Sequence, residues 1–337
     1  IIFLSLVVFA IFFAFKLFEK KKIKNIILFS LFASIATSTR VMGLFLPVSF
    51  IIFLYLEKLN NKSISNTKYI LLAIFSYFLF LFIHWPYLWE SPILSFIESI
   101  SKSKDIIFSY YILFNGNYIL TNSLPDSFIF TWIGISSPIL NLVLFLFGFY
   151  FIGKRLFSRF LLVEQARNYK CDFWRSPGEM KDYYIFFNFV SILSILVFLN
   201  VSLVSGWRHL YFLNFFMIYI AVYSLKIIAI TFKNYIYRLF LCLLILLAPS
   251  IYKIIIFHPY QSLYLNEILN SKNKNNFLID REGLTQLDSI YKILALAGDK
   301  EKINIANASF IPYYRIKDAL SQSNKNRVNF VGTEYNK

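Results

Sequence analysis

Tyr69-Ile70-Leu71-Leu72-Ala73-Ile74-Phe75-Ser76-Tyr77-Phe78-Leu79-Phe80-Leu81-Phe82-Ile83-His84, followed at once by Trp85-Pro86-Tyr87-Leu88-Trp89-Glu90, is the stretch whose reading decides the fold. No Asp, Glu, Lys or Arg interrupts residues 69–84. At ~1.5 Å of rise per residue, a helix of that length crosses most of a ~30 Å hydrocarbon core. Lipid offers no partners to backbone N–H and C=O groups, so an isolated spanning segment has to be helical. Working outward, similar blocks recur at 1–18, 26–39, 41–56, 128–152, 183–204, 210–230 and 236–257, which makes eight apolar segments. The second and third are short and read as a hairpin that does not fully reach the far interface. With 58% apolar and 15% charged residues, the 337-residue chain departs from soluble domains, which hold ~45–50% and ~25%. The reading is an all-α polytopic membrane protein of about eight transmembrane helices over 1–257, carrying a small α/β tail over 258–337.

The net charge of +16 invites a nucleic-acid partner, but its distribution argues for topology. Eighteen basic residues fall in the turns on one side, including seven in the loop 153–182; five fall on the other: Arg40, Lys102, Lys104, Arg208 and Lys253. The basic side is expected to be cytoplasmic, and no nucleic acid is expected as a partner. Cys171 and Cys242 supply neither a disulfide framework nor metal-ligand spacing, and no metal or cofactor is expected.

With that sidedness, the unusual polar groups gather at the outer face. His84, His209 and His258 all fall at outer segment ends, beside Trp85, Tyr87, Trp89, Trp207, Arg208 and Tyr260. Interfacial aromatic belts account for part of this. Arg40, between Thr37-Ser38-Thr39 and Val41-Met42-Gly43, reads either as a functional cation or as a snorkelling side chain. Guanidinium and imidazolium groups suit a phosphate held at the interface, which makes Arg40, Arg208, His209 and His258 donor-phosphate candidates. Trp85, Tyr87, Trp89 and Tyr260 are candidates to line the substrate groove. Glu90, Asp126 and Glu267 are the carboxylates near that face, and Glu90 and Asp126 are weak candidates for activating an acceptor.

The outer loop 85–127 opens on Pro86 and Pro92, and residues 93–100 carry apolar positions at helical spacing, as in a helix lying in the interface plane. The loop reads equally as a cover over a site and as a packed structural element. In the tail, Leu284, Leu287, Ile290, Tyr291 and Leu294 give a helical period. Residues 302–307 and 328–331 read as strands and 312–320 as a helix. Asn307-Ala308-Ser309 fits a glycosylation acceptor pattern.

Taken in order, several pieces resemble the GT-C glycosyltransferases, in particular bacterial members similar to dolichyl-phosphate-mannose–protein mannosyltransferases. They are Ser38-Thr39-Arg40-Val41-Met42-Gly43, Trp85-Pro86-Tyr87-Leu88-Trp89-Glu90-Ser91-Pro92, Leu124-Pro125-Asp126 with Ser136-Ser137-Pro138, Gly206-Trp207-Arg208-His209-Leu210-Tyr211-Phe212, and His258-Pro259-Tyr260-Gln261-Ser262-Leu263-Tyr264-Leu265-Asn266. The resemblance implies an inverting transferase in the bacterial inner (plasma) membrane. Its donor would be a polyprenyl-phosphate sugar, its acceptor a protein, lipid or glycan, and its active face extracytoplasmic. It also implies that the catalytic carboxylate lies in an outer loop upstream of Ile1. Where many relatives carry Asp-Tyr-Trp-Gly, this chain has Asp280-Arg281-Glu282-Gly283. The rival readings are a multispan transporter or lipid flippase, which calls for charge inside the helices, and a non-catalytic membrane scaffold.

Overall fold

The computed structural model describes residues 1–61, 65–103, 111–165, 173–199, 201, 203, 208–269, 271–280, 283–298, 302–306 and 313–331. The long helices are α1 (Ile2–Glu19), α2 (Ile23–Thr39), α3 (Phe45–Asn61), α4 (Ser65–His84), α7 (Ile139–Gln165), α8 (Pro177–Phe198), α9 (Leu213–Thr231) and α10 (Ile236–Ile256). Between α4 and α7 lie α5 (Pro92–Lys102), the hairpin β1 (Tyr111–Phe114) and β2 (Asn117–Leu120), and α6 (Ser127–Ser136). After α10 come α11 (Ser271–Lys274), α12 (Gln286–Ala297), β3 (Ile303–Ala306), α13 (Gln322–Arg327) and β4 (Val328–Val331).

Among the described residues, seven helical stretches are long and apolar enough to cross a membrane. The third of the expected segments is longer than its sequence reading: a 3-10 turn at Val41–Leu44 feeds α3, and the stretch Val41–Asn60 counts 20 residues. α2, at 17 residues, is the short one. The expected single segment 128–152 is corrected to two helices, α6 and α7, broken at Ser137-Pro138. Proline clashes with a helical residue before it, and Ser137 accordingly sits in the extended region at φ −95°, ψ 142°.

α2 packs between α1 and α4 with a face of small residues, burying Ser30, Ala33, Ser34, Ala36 and Thr37. Small side chains let membrane helices approach, and hydroxyls bond across the seam. Ser30 donates to the Ala73 carbonyl at 3.3 Å, and Tyr77 donates to Thr37 Oγ1 at 3.0 Å. α7 and α9 cross where a Cβ on Gly148 would run into the Ile220 carbonyl, so glycine is what permits the contact. Between α3 and α8, Ser49 donates to Asn188 Oδ1 at 2.8 Å, within a buried group that includes Tyr184.

Ion pairs and side-chain bonds identify which helix ends lie together. At one end, Lys21 meets Glu57 at 3.2 Å, Lys181 meets Glu19, Arg155 meets Asp182 at 2.9 Å and Asn60 donates to the Trp174 carbonyl at 3.1 Å. This end joins the basic loops. At the other end, His84 meets Ser38, and Arg40 meets both His209 and the Phe3 ring. α10 stands apart, burying no side chain.

The segment after α10 first packs on the main core. Leu265 and Phe277 belong to the main core, and Leu278 N–H donates to the Leu113 carbonyl at 2.9 Å, tying the segment to β1. A second, smaller core forms further on from Ile290, Leu294, Ile305, Leu320 and Val328. β3 and β4 pair in parallel, Ile303 opposite Val328. The stretch read as a helix over 312–320 instead contains a 3-10 run, Tyr313–Ala319. Arg281, Glu282 and the Asn307-Ala308-Ser309 pattern lie outside the described residues.

Candidate functional site

α2 ends at Thr39, and Arg40 turns extended (φ −151°, ψ 128°) while its N–H still donates to the Ala36 carbonyl at 2.9 Å. Gly43 then folds back so closely that a Cβ there would lie 2.5 Å from the Ala36 carbonyl carbon. This tight reversal sets the Arg40 side chain at the helix end. Its Nη1 donates to the His209 carbonyl at 2.9 Å, across 169 residues of sequence, and its guanidinium lies 5.6 Å from the Phe3 ring centroid. The 3-10 turn Arg208–Leu210 that leads toward α9 is thereby held against the end of α2.

Beside this junction opens a groove of about 700 Å³. Val48 of α3, Leu196 of α8 and the following Leu199 form apolar walls, and Ile100 and Ser101 of α5 border it. Among the described residues, Arg40 and His209 are the only ionisable ones that line it. The volume falls in the range of small-molecule pockets, ~300–1,000 Å³. An apolar trough with a guanidinium and an imidazole on its wall can bury a hydrocarbon chain and bind a phosphate with charge-assisted hydrogen bonds.

α5 carries out the amphipathic pattern read from the sequence. Ile93, Leu94 and Ile97 face away from the protein, with Ile93 76% exposed, while Ser95 is buried. On its polar side, Tyr87 donates to Glu98 at 2.7 Å and Lys102 pairs with Glu98 at 2.5 Å. The Lys102 and Tyr87 bonds hold the Glu98 carboxyl below its ordinary range.

The other expected site residues lie elsewhere. Trp85 packs half-buried against the main core, and Tyr87 and Trp89 are exposed, Trp89 donating to the Phe82 carbonyl at 2.8 Å. None of the three lines the groove. Glu90 and Asp126 are exposed and line no part of it either. His258 follows α10 and bonds to Gln261 at 2.8 Å, while Tyr260 donates to Asp288 of α12 at 2.5 Å. Thus Arg40 and His209 come together, and His258 and Tyr260 belong to the junction between α10 and the tail. The Arg208 side chain and Trp207 lie outside the described residues.

No family model, no curated protein and no solved structure matches the chain.

Sequence reasoning missed the opposite end of the bundle, where the basic loops read only as a topology signal. Asp182 is buried in α8, accepting from Arg155 at 2.9 Å and from the Tyr219 hydroxyl of α9 at 3.1 Å. Arg155 also lies 4.8 Å from the Tyr183 ring centroid. The signal was the lone acid in Lys181-Asp182-Tyr183-Tyr184, at the mouth of an apolar block. The Asn115-Gly116 hairpin was likewise legible: both residues take positive φ, 51° and 83°, as a two-residue β-turn requires.

Proposed function

We propose that the chain is a membrane glycosyltransferase that moves a sugar from a polyprenyl-phosphate donor to an acceptor protein, lipid or glycan on the extracytoplasmic face. The observation that carries the reading is Arg40 with His209 on the wall of a largely apolar groove. The prenyl chain lies along Val48, Leu196 and Leu199, and the phosphate meets Arg40. The planar guanidinium suits this task because its donors match phosphate oxygens in fixed geometry. Holding the His209 carbonyl, Arg40 also sets the 3-10 turn that carries Arg208. Helix-end pairing supports the sidedness, since the groove opens at the end opposite the basic loops.

The buried Arg155–Asp182 pair is the observation that favours a transporter or flippase. Both carboxylate oxygens are already engaged, by Arg155 and Tyr219, as in a structural pin. The transferase reading accounts for the groove as well, and we keep it.

The test is sugar transfer from a polyprenyl-phosphate donor in proteoliposomes, with the full-length protein. Arg40→Ala and Arg208→Ala are expected to lose transfer while Lys226→Ala retains it. Wild-type turnover in both arginine variants would remove the donor site from this end of the molecule.

A further inference from the structure

A second cavity, of about 330 Å³, lies at the basic end of α7 and is lined by Phe151, Lys154, Arg155, Ser158 and Arg159. The spacing i, i+3, i+4, i+7, i+8 places all five on one helix face. We propose that this cavity binds the phosphodiester headgroup of an anionic phospholipid, separately from the donor groove and independently of the transferase reading.

Four observations converge. First, α7 counts 27 residues, or ~40 Å at ~1.5 Å each, so its last turns pass beyond a ~30 Å core into the headgroup layer. Second, three cations and a hydroxyl line the cavity while Phe151 supplies an apolar wall, the combination that a lipid phosphate and its glycerol present in mirror image. Third, among the described residues Asp182 pairs with Arg155 and Glu179 with Arg159 at 3.5 Å, Lys181 pairs with Glu19, and Lys154 rests over the Tyr150 ring, 5.9 Å from its centroid. Fourth, exposed Leu146, Phe147, Tyr150 and Phe157 flank the cavity along α7, offering acyl chains a surface. Basic pockets between transmembrane helices suit anionic headgroups in this way.

The test uses the full chain in nanodiscs with spin-labelled phosphatidylglycerol or phosphatidylcholine as the probe. Wild-type protein is expected to immobilise phosphatidylglycerol preferentially. Lys154→Glu with Ser158→Glu, both exposed positions, is expected to lower that preference at least about fivefold. Lys20→Glu with Lys22→Glu, exposed cations of another turn, is expected to leave it. An unchanged preference in the first variant would overturn the proposal, and so would an equal loss in the second, which is general surface attraction. Displacement of the probe by millimolar inorganic phosphate or glycerol phosphate would assign the cavity to a soluble phosphate and overturn the lipid assignment.

Discussion

Arg40 acts through two properties that lysine does not share, a planar fork and a charge that is never lost. One arm holds the His209 carbonyl at 2.9 Å, and the same group lines the groove. Arg40→Lys keeps the charge and removes the fork. A charge-assisted hydrogen bond is worth about 1.5–3 kcal/mol, so polyprenyl-phosphate affinity is expected to fall about tenfold or more. Titration in nanodiscs measures this, and equal affinity in the lysine variant would show that Arg40 acts as a point charge. Asp280 sits in the stretch that departs from the resembled family, and its role here is structural. Burial raises its pKa, but bonds from the Thr285 hydroxyl and amide and the Leu284 amide more than reverse that and hold it below the usual value. A depressed native pKa means that the stabilisation is present above the unfolded value of ~3.9 and is lost as pH falls through the native one. Exchange at the Leu284 and Thr285 amides is therefore expected to be protected at neutral pH and to lose that protection in acid. Asp280→Asn should show faster exchange already at pH 7.

At the scale of elements, the apolar blocks announced the helices, while their breaks and neighbours were encoded more locally. Ser137-Pro138 ends α6 through one steric clash inside an uninterrupted hydropathic run, which a hydropathy reading averages away. Gly148 sits where α7 crosses α9 against the Ile220 carbonyl. Gly148→Leu forces the crossing apart, and overpacking of this kind costs about 1–3 kcal/mol. Thermal unfolding in detergent should show the loss, with Gly134→Leu, where a Cβ meets nothing, as the unaffected control. α5 was legible from its spacing, and its placement as the border of the groove was not, because that depends on Ile100 and Ser101 facing the same cavity as side chains from α3 and α8. A fluorophore at Ile97 is expected to report an apolar, lipid-quenchable environment and one at Glu98 a wet one. The same wet spectrum at both positions would place α5 away from the bilayer.

For the whole molecule, the basic turns read from the sequence lie at the helix ends that Lys21–Glu57, Lys181–Glu19 and Arg155–Asp182 bring together. α6, at 10 residues, is too short to cross a ~30 Å core, and Asn266, beyond α10, donates to the Ser137 carbonyl at its end at 2.8 Å. What the sequence could not convey is which apolar faces meet protein and which meet lipid, because lipid chains are as apolar as leucine. That is why α10 reads like α1 yet buries nothing, and why His258 and Tyr260 lie with the tail and not in the groove. It is also why Arg40 and His209, 169 positions apart, looked alike with His258 as candidates until the fold joined two of the three. The central claim, that a lipid-linked phosphate occupies the Arg40 groove at the end opposite the basic loops, is tested most directly by photo-crosslinking a benzophenone-bearing polyprenyl phosphate to the full-length protein in nanodiscs and mapping the adducts. The account predicts adducts at Val48, Leu196 or Leu199 that disappear in Arg40→Ala; adducts confined to α10 or to the half of α7 nearer the basic loops, or unchanged by that substitution, would contradict it.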